Sequence, residues 1–311
     1  MPYSRWLLFA GLLAASLPSA ARAFDGIRVT LLGTGGEAAS SERFGPATLV
    51  EAGDEVFLFD CGSGVAQRLA QAGVPAGEID VVFLTHLHSE HTAGFHDLWL
   101  TDSLQARQGP MLVIGPKGTG DLMRSLQLAL RAGIESRPGA RPTGAGIDAR
   151  DVSENLVYQT AEVTVTALVV EHGPMPAYGY RVDYRGRRSL VLSGDTSYSE
   201  NLIRNARGVQ LLVHEVAAAD PELVQSSQHI RQLVSVHSSP EDAARVFQRA
   251  HPYLAVYSPV MTFDVTGEQI MRRTRSIYKG AVELGHDLMI IEIQDEVQIR
   301  AVPSEVRPRR D

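Results

Sequence analysis

With 311 residues, 44% of them hydrophobic, the chain has the composition of a soluble globular protein and enough apolar content for a sizeable core. Its formal charge of −7 gives no overall basic footprint of the kind nucleic acid selects, so a nucleic-acid partner is not expected. The single cysteine, Cys61, excludes an intrachain disulfide and reads as a small packed residue at a strand end.

The first residues do not read as part of the fold. Arg5 supplies a positive start, Trp6 to Leu17 an apolar stretch, and Ala21-Arg22-Ala23 a small-residue cleavage site. That is the pattern of a secretory signal peptide, and its apolar stretch falls short of the ~20 residues a membrane span needs. Residues 1–23 are therefore expected to be removed. Residues 24–311 then form a single α/β domain with a periplasmic or secreted address and no membrane span. Loss of Arg5 and Arg22 takes the formal charge to −9.

Strands and helices alternate from there to the end. Ile27 to Leu32, Ala47 to Glu51 and Glu55 to Asp60 read as strands, the last two joined through a hairpin-type turn at Gly53-Asp54. Gly64 to Ala72 reads as a helix and Val81 to Leu84 as a buried strand. Met111 to Ile114 is a further strand, followed by a helix from Gly120 to Ala132. Arg131 to Asp151 is rich in Gly, Pro and Arg (Arg131, Arg137, Arg141, Arg150) and lacks apolar periodicity, so it reads as a long loop. It either caps a site with guanidinium groups or is simply solvated. A second half begins near Leu156, with strands at Val163 to Val170, Gly179 to Val182, Ser189 to Leu192 and Leu211 to His214. Glu241 to Ala250 and Gln269 to Gly280 read as helices, and Leu288 to Ile293 and Val297 to Val302 as a closing strand pair.

The densest chemistry follows the strand at Val81. Thr85 to Gly94 places His86, His88, Glu90 and His91 within six positions. Two histidines at i and i+2 share one side of an extended segment, while Glu90 and His91 turn the corner toward a second position. Imidazole with carboxylate and no clustered cysteine points to a catalytic metal rather than a structural one.

This segment resembles the His-x-His-x-Asp-His signature of the metallo-β-lactamase superfamily, with Glu90 where that family has Asp. Leu31 to Gly36 is similar to the family's opening strand and glycine turn, and Phe59-Asp60-Cys61-Gly62-Ser63-Gly64 to the strand end beneath its metals. Glu171-His172-Gly173 with Tyr178-Gly179-Tyr180-Arg181 is similar to the third-histidine motif, and Ser193-Gly194-Asp195-Thr196 to the motif of the bridging aspartate. The layout is nearest the branch that includes ribonuclease Z and related exported hydrolases. The resemblance implies a four-layer αββα sandwich with the site at one edge between the sheets.

It also implies a ligand set: His86, His88 and His172 for a first zinc, and Glu90, His91 and bridging Asp195 for a second ion. The family adds a late histidine after an apolar strand, and here that position is Ser258. His251 and His286 are not obvious substitutes. Both departures fall on the second position, which is then weak, empty, or held by a harder ion such as manganese or iron with more water. In the same branch a Glu and a His form a proton-transfer pair. Carried over, Glu215 orients His237, which protonates the leaving oxygen. Glu90 could also accept a proton. Ser238 or Ser239 would cap the following helix, His214 would be a packing residue, and His96 and His229 ordinary polar residues.

The function expected is an exported metal-dependent hydrolase that uses a metal-activated water on a small phosphodiester, ester or lactone. Two alternatives differ in kind. One is a ribonuclease Z-like phosphodiesterase or nuclease, of whose tRNA-binding arm no convincing copy is visible. The other is a metal-binding protein that has lost turnover. Homo-oligomerisation stays open.

Overall fold

The structure, a computed structural model, describes residues 24–38, 40–104, 109–136 and 146–300. The signal-peptide segment, Arg137, Arg141 and the last residues of the expected closing strand lie outside the described residues.

Two sheets form the centre. The first carries β1 (Ile27–Gly33), β2 (Ala47–Ala52), β3 (Glu55–Phe59), β4 (Val81–Phe83), β5 (Met111–Gly115) and β6 (Ile147–Asp151). The second carries β7 (Asn155–Gln159), β8 (Val163–Val170), β9 (Ala177–Tyr184), β10 (Arg188–Leu192), β11 (Leu211–Ala219), β12 (Leu254–Phe263) and β13 (Val282–Leu284). The chain then returns. β14 (Met289–Ile293) pairs antiparallel with β1, and β15 (Val297–Arg300) with β14, so the closing pair completes the first sheet.

Period-two alternation explains the layering. Phe57, Phe59, Val81 and Phe83 point into an apolar core shared with Val165, Tyr180, Val182 and Val213 of the other sheet. Their neighbours Leu58 and Val82 point the other way, against α1 (Val65–Ala72), α3 (Phe95–Leu104) and α4 (Thr119–Glu135) through Leu69, Leu98, Trp99 and Met123; the short α2 (Ser89–Thr92) lies between α1 and α3 in the chain. On the second sheet Val191, Leu212 and Val216 back onto α5 (Glu200–Asn205) through Leu202 and Ile203. Two short helices follow, α6 (Pro221–Ser226) and α7 (Gln228–Val234). Beyond them α8 (Pro240–Ala250) and α9 (Gly267–Ile277) pack on the same face through Phe247 and Ile270. Three apolar layers between four structural ones give the αββα sandwich. Strands covered on both faces need no polar side, which is why Val81-Val82-Phe83 is uninterrupted.

The stretch expected to be a long loop is otherwise. α4 runs through Arg131 to Glu135, and Ile147–Asp151 is the outer strand of the first sheet, parallel to β5. β11 continues past His214 to Ala219, with a register shift between His214 and Val216. β12 likewise runs on through Ser258-Pro259 to Phe263.

A few contacts tie the two sheets together beneath the histidine loop. Tyr180 on β9 donates its hydroxyl to the Leu84 carbonyl at 2.7 Å, and the Tyr178 amide donates to the Thr85 carbonyl at 2.9 Å. The Tyr180 ring lies against the stacked pair Phe59 and Phe83. Gly194, at φ +59°, permits the end of β10 to pass this close, because a Cβ there would meet the Tyr178 carbonyl and the Thr85 side chain.

Candidate metal centre

The loop after β4 brings His86 and His88 up to His172, which follows β8. His86 Nε2 lies 3.1 Å from His88 Nδ1, and His172 Nε2 lies 3.2 Å from the same atom. Ligand nitrogens on one tetrahedral zinc sit about 3.3 Å apart at ordinary Zn–N lengths. Both pairs through His88 therefore already have that spacing, and all three ligand nitrogens lie within 4.8 Å of one another.

The rings of His86, His172 and His91 are oriented from behind. His86 Nδ1 donates to the Thr85 hydroxyl at 2.9 Å, and that hydroxyl donates to Asp60. His172 Nδ1 donates to the Val236 carbonyl at 3.0 Å. His91 Nδ1 donates to Asp60 Oδ2 at 2.7 Å. With Nδ1 carrying the proton, the neutral rings of His86 and His172 present a lone pair at Nε2, and His91 would do so once a metal displaced its second proton. Burial and the neighbouring imidazoles keep His86 well below its ordinary pKa, and burial lowers His172, so both are neutral donors.

A second group gathers beside the first. Ligand atoms of His86, Glu90, His91 and Asp195 all lie within 4.8 Å of one another. Asp195 Oδ2 stands 3.3 Å from His91 Nε2 and 4.0 Å from His86 Nε2, between the two positions. Glu90, one methylene longer than the family's aspartate, brings its carboxylate within this group. Asp195 Oδ1 and His91 Nε2 are buried without a hydrogen-bond partner. Orphaned polar atoms that converge on one point fit a cation. Burial disfavours charge on His91, yet Asp195 and Asp60 outweigh it and raise its pKa well above the ordinary value. In the metal-free protein a proton on His91 supplies the positive charge these carboxylates demand.

Glu215 and His237 complete the cluster. The irregularity in β11 lies at Glu215, the place where a bulge re-aims a side chain. Glu215 Oε1 accepts from His237 Nδ1 at 3.1 Å and from the amides of Thr196 and Ser238 at 3.1 and 3.0 Å. Burial alone disfavours a charged His237, but Glu215 and Asp195 (3.8 Å from Nδ1) push its pKa up to about 9. Ser239 caps α8 by accepting from the Asp242 amide, whereas Ser238 donates to the Thr196 carbonyl.

The remaining assignments sort cleanly. His214 is buried, with Nδ1 donating to the Glu215 carbonyl and its ring edge-on to Phe247. His96, His229, His251 and His286 are exposed and belong to none of the metal-capable groups among the described residues. Cys61 is fully buried and its thiol is pushed up by burial, which suits packing. Asp60 is the residue whose role the sequence left implicit. Its carboxylate organises Thr85 and His91, and the sequence signalled this only through the likeness of Phe59 to Gly64 to the strand end beneath the family's metals.

A cavity of about 300 Å³ adjoins Glu90, walled by Glu37, Arg43, Phe44, Ser63 and Ser89. A larger cleft of about 730 Å³ opens between Phe24, Arg188 and Asp295, but none of the candidate ligands lines it.

Two facing sheets with a histidine–carboxylate centre at one edge define a metal-dependent hydrolase of the metallo-β-lactamase fold. A family profile described as "Anti-Pycsar protein Apyc1" matches residues 27–243. A ribonuclease Z of Mycobacterium avium (strain 104) is 36% identical over 276 residues, which is 86% of this chain and 98% of the relative. Among solved structures, the metallo-β-lactamase fold protein YhfI from Bacillus subtilis superposes with TM-score 0.69 at 19% identity, covering 86% of this chain and all of that one. The short form of human tRNase Z gives 0.65 at 24%, covering 86% and 99%. The chain belongs to the family of that profile and to the ribonuclease Z-like branch of the metallo-β-lactamase superfamily.

Proposed function

We propose that the chain hydrolyses a phosphodiester bond in a small substrate. The observation that carries this reading is the Glu215–His237 pair beside Asp195 and His172. A divalent ion, zinc at the three-histidine position, would supply Lewis acidity and bring the pKa of a bound water toward neutrality. His86, His88, His172 and Asp195 would hold it, and their fixed rings would set its open position. His237, protonated at neutral pH, would deliver its proton to the departing oxygen, while Glu215 holds Nδ1 and stabilises the charge. Glu90 lies within reach to accept a proton on the opposite errand.

The ribonuclease Z relatives favour a phosphodiester over the ester or lactone that the sequence left open, and so favour what began as the alternative reading. Their name also supports a second version, in which the bond belongs to an RNA, and it weighs against dismissing nucleic acid as a partner. The acidic charge and the modest 300 Å³ cavity beside Glu90 favour a small molecule. Turnover of bis(p-nitrophenyl) phosphate, p-nitrophenyl acetate and a fluorescent RNA oligonucleotide separates the versions. The expected result is phosphodiester turnover exceeding ester turnover by about tenfold or more, with RNA poorly cut. Ester turnover alone would contradict the proposal. Export is proposed from the Arg5 to Ala23 pattern, and fractionation of cells expressing the full chain tests it. Retention of an uncleaved chain in the cytoplasm would overturn it.

A further inference from the structure

We propose that His214 is a positioning residue for the proton donor: it holds the backbone of Glu215 at a break in the sheet ladder, and so aims the Glu215 carboxylate at His237. The proposal rests on the reading of His237 as the acid that serves the leaving oxygen. Between β11 and β12, His214 lies opposite Tyr257 and Val216 opposite Val260, so the single residue Glu215 faces two, Ser258 and Pro259. Regular pairing therefore lapses where the carboxylate leaves the strand. Pro259 has no N–H to give, and the Val260 amide donates to the Thr34 carbonyl at 2.9 Å. The peptide groups of Glu215, a fully buried residue, must find other partners. Its carbonyl accepts from His214 Nδ1 at 2.7 Å, and its amide donates to Ser193 Oγ at 3.0 Å.

These two side chains do for the Glu215 backbone what the Thr196 and Ser238 amides do for its carboxylate. The residue is held at both ends, and its Oε1 atom meets His237 Nδ1. Two residues on, the Ala217 amide donates to the Ser238 carbonyl at 2.9 Å, so the same stretch of β11 also steadies the loop that carries His237. Packing does not account for the imidazole. His214 is fully buried, and its Nε2 has no hydrogen-bond partner among the described residues. An orphaned buried nitrogen is costly, and an apolar ring would pack against Phe247 without it. What the histidine adds is its one bond to the Glu215 carbonyl.

Two substitutions separate that bond from the packing. His214→Phe keeps a ring and removes the donor. His214→Asn keeps a donor nitrogen at the same number of bonds from the backbone and gives up the ring. The readout is kcat and KM on bis(p-nitrophenyl) phosphate and on diphenyl phosphate, whose phenolate leaves less readily and depends more on a delivered proton. His214→Phe is expected to lower kcat on diphenyl phosphate about 10- to 100-fold, and much less on bis(p-nitrophenyl) phosphate, with KM and bound metal unchanged. His214→Asn should keep most of the wild-type rate on both, even as its urea midpoint falls. Ser193→Ala, which removes the acceptor of the Glu215 amide, should show the selectivity of His214→Phe, and it decides if His214→Phe does not fold. His237→Gln, run alongside, sets the full effect. A selective loss in His214→Asn equal to that in His214→Phe would assign the effect to packing and overturn the proposal. So would a His214→Phe or Ser193→Ala enzyme that treats both substrates alike while His237→Gln does not, and the acid itself would then stand. No selectivity in His237→Gln would instead remove the proton donor, and the proposal with it.

Discussion

Asp60 accepts a hydrogen bond from His91 Nδ1 at 2.7 Å, from a backbone held at φ +60°. The same carboxylate takes the Thr85 amide and hydroxyl, so one residue fixes two ligand rings, His91 directly and His86 through Thr85. Left-handed backbone at a non-glycine residue is tolerated best by Asp and Asn. Asp60→Asn keeps the shape and the backbone but weakens the acceptor. Its metal affinity is expected to fall about 10- to 100-fold, the usual effect of losing a ligand's supporting carboxylate. Competition with a chromogenic chelator measures this, and unchanged affinity would remove Asp60 from the account.

His237 and Glu215 make a kinetic prediction. His237→Gln should lower kcat by about 10²- to 10⁴-fold with little change in KM. The acid must be protonated, so the wild-type rate falls as pH rises through the pKa of His237. That pKa is about 9 in the metal-free protein, and a cation in the cluster draws it lower. The alkaline limb of the rate profile should therefore lie at or below pH 9, and should vanish in His237→Gln. A variant that keeps the limb would assign it to another group.

Stability at mild acid should report His214. Burial lowers its pKa from 6.5 to about 4. An unfolded chain takes up the proton below pH 6.5 while the folded chain refuses it until about 4, so stability is present above 6.5 and is lost as pH falls across that window. The loss amounts to about 3 kcal/mol for this one residue. His214→Asn keeps a donor for the Glu215 carbonyl and removes the titration. Urea midpoints at pH 7 and pH 4.5 on metal-free protein should show a smaller drop in the variant than in the wild type.

Much of this architecture could be read from the chain, and the exceptions share a cause. The buried runs Ile27 to Leu32 and Val81 to Leu84 declare themselves locally, as do the amphipathic helices at Val65 and Glu241. The edge strands Ile147–Asp151 and Asn155–Gln159 are short and only half-buried, and each offers just two apolar residues to the core, too weak a pattern to mark a strand locally. Pairing of β14 with β1 joins residues some 260 positions apart, which no local pattern encodes. A proline ordinarily interrupts a strand, yet β12 resumes its ladder with β11 beyond Pro259. The ligand set was legible through the spacing around His86, whereas Asp60 became legible only once folding brought it to His91.

The Tyr180 hydroxyl is one of the contacts by which the second sheet braces the histidine loop. Tyr180→Phe leaves the buried Leu84 carbonyl without this donor and should destabilise the fold by about 1 to 3 kcal/mol, read from a shifted denaturation midpoint. A midpoint unchanged from the wild type would mean that the other contacts, among them the Tyr178 amide on the Thr85 carbonyl, hold the loop without it.

The central claim is that turnover depends on the three-histidine position. His86 is fully buried, and its Nε2 atom adjoins both His88 and Asp195. The decisive measurement is hydrolysis of bis(p-nitrophenyl) phosphate by His86→Ala beside the wild type, each stripped and then titrated with zinc and manganese. The account expects wild-type activity to rise from background with bound metal, and the variant to stay at background throughout. Full turnover by His86→Ala, or by the stripped wild type, would contradict it.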